Sequence, residues 1–106
     1  MGFTKERKKL EKLSEKITCL QQYDAKSLAI ITDCYEQYSH TARILKNKEP
    51  NVFNELYLNE LQQVKVSKRN LKLAEEDDIR EVNFITYKAV LLAALKKTIE
   101  AANNLV

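Results

Sequence analysis

The chain contains a single histidine, His40, so any chemistry that needs an imidazole has to use it. Glu36 precedes His40 by four residues, and on a helix this spacing brings both side chains to one face, where they could share a metal ion. Di-iron bundles need several inward carboxylates and two Glu-x-x-His pairs, which one histidine cannot supply. We therefore predict neither a metal site nor any other cofactor, with His40 as a polar surface residue.

Other residues with reactive side chains also lack a catalytic setting. Cys19 and Cys34 belong to no Cys-x-x-Cys pair, and two such thiols are typical of small buried hydrophobic side chains. The acidic run 75–78 would suit acid–base chemistry, yet four adjacent acids are also what the positive end of a helix dipole favours. The only glycine is Gly2, which excludes a glycine-rich phosphate loop. The sequence predicts a protein that is not an enzyme.

Two groups of basic residues could instead contact phosphates. The first group lies near the start of the chain and consists of Lys5, Arg7, Lys8, Lys9, Lys12 and Lys16. The second lies in the third quarter of the chain and consists of Lys65, Lys68, Arg69 and Lys72. Three glutamates interrupt the first group, neither group contains an aromatic residue for stacking on bases, and the net charge is only +3. Solvated helix faces are the simpler interpretation, and nucleic-acid binding through the second group stays an alternative.

The composition indicates which secondary structure carries these residues. One glycine and one proline in 106 residues leave almost no turn or break signals, which is typical of long helices. With 44% hydrophobic and 31% charged residues the chain can bury a core, and its length fits one domain, 1–106. The longest apolar run is too short to span a bilayer, and the chain starts without a secretory signal pattern. We therefore expect a soluble, cytoplasmic protein.

Apolar residues recur at three- and four-residue spacing in four segments, which predicts four helices. The expected bounds are 4–22, 24–48, 50–69 and 75–103. Asp24 is a predicted N-cap, and Pro50 suits a first helical turn. Short connections make consecutive helices antiparallel, so the predicted fold class is all-α, an up-down-up-down bundle of four helices.

The segment 64–73 is compatible with a second structure. Residues 64–66 and 71–73 alternate apolar and basic side chains, and the four residues between them could form a turn, so a short β-hairpin is an alternative. An isolated two-stranded hairpin is only marginally stable. Helix to about Arg69, followed by a bend, is the favoured prediction.

The last predicted helix carries seven consecutive apolar residues, from Ala89 to Leu95. They cover about two helical turns, so apolar side chains face all directions around the helix axis. Either this helix lies centrally, or its outer side meets another chain, or its alanines are simply exposed, as single apolar surface residues often are. Our working hypothesis is a partner surface, and the residues assigned to it are Phe84, Tyr87, Leu91 and Leu95.

These features favour binding over catalysis. The sequence predicts a small adaptor, regulator or subunit that binds a protein partner, or a second copy of itself, through the apolar surface of the last helix. A helical nucleic-acid-associated protein is one alternative. A small immunity or inhibitor protein is another, which rests on size and helix content alone.

Overall fold

Four α-helices make up most of residues 3–104, the part of the chain that the computed structural model describes. The helices are α1 (Thr4–Thr18), α2 (Ala25–Lys48), α3 (Pro50–Leu73) and α4 (Asp77–Asn103). Short loops at 19–24, 49 and 74–76 join them, so consecutive helices run antiparallel. The predicted all-α, up-down-up-down bundle is confirmed.

Local side chains determine where the helices begin. The Asp24 carboxylate accepts a hydrogen bond from the Ser27 backbone N–H at 2.7 Å and caps α2, as the sequence predicts. That hydrogen bond lowers the pKa of Asp24, so the cap stays ionised at neutral pH. Pro50 begins α3, and Asp77 and Asp78 place negative charge in the first turn of α4.

α1 ends at Thr18 rather than at Gln22, because the residues that follow turn across one end of the bundle. The Leu20 N–H donates to a carbonyl oxygen of the last turn, and the Leu20 side chain is buried. Tyr23 then packs on Phe84, with 5.5 Å between the ring centroids. This turn closes one end of the core, and it leaves α1 with 15 residues against 24 in α2.

The hairpin alternative at 64–73 is wrong, because α3 is a continuous helix to Leu73. Val64 and Leu71 are buried one heptad apart, whereas Val66 and Leu73 are exposed. A helix that brings residues seven apart to one face explains both observations. The alternating polarity of this segment therefore has no structural meaning.

The helices form a ring in which α4 contacts each of the other three. α1 and α3 both pack against α2 and α4, and α2 and α4 also meet across the bundle. Within residues 3–104, the backbones of α1 and α3 do not approach closely, although Phe3 at the start of α1 packs on Phe53 of α3. α2 and α4 therefore occupy the short diagonal of the cross-section. The bundle measures 45 × 23 × 17 Å. The position of α4 explains why it needs apolar residues on several sides.

Polar contacts between helices supplement this core. The hydroxyls of Tyr38 in α2 and Thr98 in α4 lie 3.3 Å apart inside the bundle, and burial raises the pKa of Tyr38 to about 12. Lys48 donates to the Glu6 carboxylate at 2.6 Å, which ties the end of α2 to the start of α1. Both contacts link residues that are distant in sequence, and they help to fix the alignment of the helices.

Candidate functional site

The apolar residues that the sequence assigned to a partner surface lie in the core of the bundle. Phe84, Tyr87, Leu91 and Leu95 are each at most 2% exposed. Their three- and four-residue spacing places them on the side of α4 that packs against the other helices. Their placement on the surface is therefore wrong, and any partner that docks on α4 has to contact other residues.

The apolar run 89–95 divides between the two sides of α4. Leu91, Ala94 and Leu95 are buried, whereas Ala89 and Ala93 are exposed. The contacts of α4 with three helices account for the buried members. Ala89 belongs to a second apolar strip, which faces outward.

A line of residues on this outward side has the spacing of a helix–helix contact. We call it the α4 seam, and its members are Asp78, Val82, Ile85, Ala89, Leu92 and Lys96. Their steps of four, three, four, three and four form the a/d pattern of a helix that packs against one other helix. With 3.6 residues per turn, the six positions share a sector of about 80°. Val82 and Ile85 are 62% and 61% exposed, and Leu92 is half-buried at the edge of the core.

The seam is uncovered because it faces away from the core, and α1 runs beside only part of α4. Arg7, near the start of α1, donates to the Asn103 side-chain oxygen at 2.9 Å, and Lys88 donates to the Leu20 carbonyl oxygen just beyond the end of α1. α1 therefore follows α4 only over its last four to five turns. Over residues 77–87, no other described helix lies on that side of α4, and the most exposed apolar residues of the seam are in this segment.

Opposite charges mark the two ends of the seam. Asp78 is exposed in the first turn of α4 beside three further acids, and Lys96 is exposed near the other end. Lys97 forms an ion pair with Glu60 of α3 at 2.8 Å, whereas no ion pair among residues 3–104 involves Asp78 or Lys96. Glu100 partly offsets the two lysines. The seam thus runs from an acidic end, through four apolar residues, to a basic end.

The residues that the sequence proposed for nucleic-acid contacts differ in their exposure. Lys65, Arg69 and Lys72 are exposed along α3. Lys68 is half-buried, and its ammonium lies 4.6 Å from the centroid of the Tyr35 ring in α2, a cation–π distance. Three of the four residues therefore remain accessible to a phosphate.

A second cation–aromatic pair joins the same two helices. The ammonium of Lys46 lies 4.6 Å from the centroid of the Tyr57 ring, and Arg43 Nε donates to the Tyr57 hydroxyl at 3.5 Å. The hydrogen bond from Arg43 lowers the pKa of Tyr57. Sequence reasoning found no aromatic residue among the lysines, because Tyr35 and Tyr57 reach them only in the folded bundle.

The two cysteines line one open cleft of about 870 Å³ between α1 and the first half of α2. Cys19 is exposed and Cys34 is buried, and burial raises the pKa of the Cys34 thiol. Two lysines and two aspartates also line the cleft, so its charge is mixed. This cleft favours no single class of ligand.

Glu36 and His40 are both exposed on α2. In the described part of the chain, no group of three or more His, Cys, Asp or Glu residues is arranged to hold a metal ion. Each helix in residues 3–104 also falls short of the length or the apolar character that crossing a bilayer requires.

The α4 seam could have been found in the sequence, because its three–four spacing is as regular as that of the buried residues of α4. The pattern does not reveal which of two apolar strips a bundle buries. Comparison with known proteins adds no further guide: the chain matches no protein-family model, and neither the curated proteins nor the solved structures give a match.

Proposed function

We propose that this protein is a non-enzymatic interaction module that binds a second copy of itself through the α4 seam. The observation that carries the proposal is the heptad-like line from Val82 to the half-buried Leu92, with opposite charges beyond its two ends. An exposed apolar strip on a rigid helix is typical of a protein-binding surface. The bundle provides the rigid support, since the opposite side of α4 is packed in the core.

The charges favour an antiparallel pair of α4 helices. A two-fold axis at position 87 brings Ile85 opposite Ala89 of the partner, Val82 opposite Leu92, and Asp78 opposite Lys96. A large side chain then meets a small one near the axis, which allows the helices to approach closely. In a parallel pair, Asp78 would face Asp78 and Lys96 would face Lys96, so like charges would repel.

One helix–helix contact is a small interface. Stable complexes bury about 800 Å² on each partner, and a single pair of helices buries less than this. We therefore expect a reversible dimer whose population depends on concentration. The fraction of dimer would then depend on the protein's own concentration, a property that suits a regulatory subunit.

The test is the molecular mass over a wide concentration range, measured by light scattering and sedimentation. We expect the wild-type mass to rise from 12.3 kDa towards twice that value. Ile85→Lys should hold the protein at the monomer mass, because two charges would be buried near the two-fold axis. Leu58→Lys is the matched control, since Leu58 is 57% exposed on α3 and lies outside the seam.

The proposal fails if the wild-type protein stays monomeric at several hundred micromolar. It also fails if Leu58→Lys weakens association as much as Ile85→Lys does. Circular dichroism of both variants keeps the result interpretable, because both side chains are exposed and neither substitution should unfold the bundle.

The exposed basic residues of α3 favour nucleic-acid binding as a second candidate function. Lys65 and Arg69 are exposed on this helix, where they could contact phosphates. Binding of single-stranded nucleic acid that weakens steeply with salt, and that Lys65→Glu with Arg69→Glu removes, would support it. Lys8→Glu with Lys9→Glu on α1 is the matched charge control, and equal loss in both double variants would point to non-specific attraction.

A further inference from the structure

A second cleft lies between α2, α3 and the start of α4, and its chemistry differs from that of the cysteine cleft. Its volume is about 440 Å³. Leu28 of α2 and Leu71 of α3 contribute apolar surface, and the buried Tyr87 of α4 lies beneath it. A space of this size suits a small organic molecule.

The charges that line this cleft have a single sign. Lys68 and Lys72 of α3 and Arg80 of α4 line it, and no acidic residue does. Arg80 is held in place, because its Nε donates to the Ala74 carbonyl oxygen at 2.7 Å. Lys68 is held as well, by its position over the Tyr35 ring. Three cations around an apolar space are complementary to an anion that carries an apolar body.

Tyr87 adds an unused hydrogen-bonding group. The residue is fully buried, and its hydroxyl makes no hydrogen bond to any residue within 3–104. Burial raises the pKa of Tyr87, so the hydroxyl stays protonated and can donate. A buried hydroxyl without a partner is unfavourable, so the floor of the cleft is not optimised for stability alone.

We propose that the cleft between α2, α3 and α4 binds a small carboxylate with an apolar chain, its carboxylate among Lys68, Lys72 and Arg80 and its chain against Leu28 and Leu71. The α4 seam does not take part, because its side chains face outward and those of the cleft face α2 and α3. Binding at the cleft and association through the seam are therefore separable.

Hexanoate is the probe, and its binding is measured by backbone amide chemical shifts. Hexanoate should shift the amides of residues that line the cleft. Hexanamide, which has the same chain without the charge, and inorganic phosphate, which has the charge without the chain, should each bind at least about tenfold more weakly.

Lys72→Gln, with Lys65→Gln as its control, locates the site. Lys72→Gln should weaken hexanoate binding by about threefold, as expected for one partly exposed ion pair, and Lys65→Gln, one heptad earlier on α3, should not. Tyr87→Phe keeps the ring and removes the unpartnered hydroxyl, so the stability of the bundle should be unchanged or increased.

Equal affinity for hexanoate and hexanamide would overturn the proposal, and so would equal effects of Lys72→Gln and Lys65→Gln. Chemical shift changes centred on Val82 and Ile85 would also overturn it, because they would place the probe on the α4 seam. A dissociation constant for hexanoate that is the same in wild type and in the monomeric Ile85→Lys variant is expected.

Discussion

Lys88 donates a hydrogen bond from its ammonium group to the backbone carbonyl oxygen of Leu20, 68 residues earlier in the chain. The contact fixes the place along α4 at which α1 stops. From this point α1 runs beside α4 towards the C-terminus of α4. Ala89 and Lys96 are exposed even there, so Val82 and Ile85 are exposed because the seam faces away from the core.

Exchanging the end charges of the α4 seam tests the antiparallel arrangement. Asp78→Lys and Lys96→Asp should each weaken the dimer by about threefold to tenfold, because two symmetry-related pairs worth about 0.2–1 kcal/mol each become repulsive. The double variant should restore the wild-type dissociation constant, measured by sedimentation equilibrium at low salt. A double variant as weak as the single ones would contradict this pairing.

The two sides of α4 should differ sharply in their contribution to stability. Leu91→Ala should lower the free energy of unfolding by about 2–5 kcal/mol, because it opens a cavity in the core. Val82→Ala should change the stability of the monomer by about 0.5 kcal/mol or less, since Val82 is exposed. Urea unfolding of the dilute protein measures both, and similar losses in the two variants would show that the seam is buried.

The hydroxyl pair of Tyr38 and Thr98 should respond unequally to removal of either partner. The Thr98 hydroxyl also bonds to the Ala94 carbonyl oxygen at 2.8 Å, so Tyr38→Phe leaves it satisfied. Thr98→Val leaves the buried Tyr38 hydroxyl without a partner and should cost about 1–3 kcal/mol, more than Tyr38→Phe at about 1 kcal/mol. Thermal unfolding of both variants checks the order, and the reverse order would refute it.

The ion pair of Glu6 and Lys48 should make stability depend on pH in the acid range. Burial opposes ionisation of Glu6, but the hydrogen bond from Lys48 and nearby positive charge outweigh it and lower the pKa of Glu6. The folded-state pKa thus lies below the unfolded value near 4.5, so the stabilisation is present above that pH and is lost as pH falls through the folded-state pKa.

Glu6→Gln should therefore cost stability at pH 7 and cost less at pH 3. The loss at pH 7 should be about 1 kcal/mol or less, because the Lys48 side chain is 46% exposed and solvent screens the pair. Urea unfolding at the two pH values measures the difference. Glu11→Gln is the control, since Glu11 is half exposed beside Arg7 on α1. An equal loss at both pH values would contradict the assignment.

Local sequence signals were sufficient to predict the four helices and their order along the chain. Asp24 caps the start of α2 and Pro50 begins α3, as predicted. Both effects act within one helical turn, because a capping carboxylate and the fixed φ of proline influence only neighbouring residues. The end of α1 was not predictable in the same way. Leu20 leaves the helix because its side chain closes the core, and that is a property of the whole bundle.

The residues of the candidate sites show the same limit. Two strips with three–four spacing run along α4, and local sequence does not tell which of them the bundle buries. The placement of Phe84 and Leu91 on a partner surface was wrong for this reason. The proximity of Lys68 to Tyr35 depends on the packing of α3 against α2, and no local pattern encodes it.

A single residue, Glu49, separates α2 from α3, and it belongs to the hydrogen bonding of both helices. Its N–H donates to the Leu45 carbonyl oxygen, and its own carbonyl oxygen accepts from the N–H of Phe53. A connection of one residue leaves no freedom of rotation, so its length determines which side of α3 faces the core. One inserted residue would turn α3 by about 100° and carry Val64 out of the core. The short connection therefore makes the relative rotation of α2 and α3 depend on the length of a single-residue link.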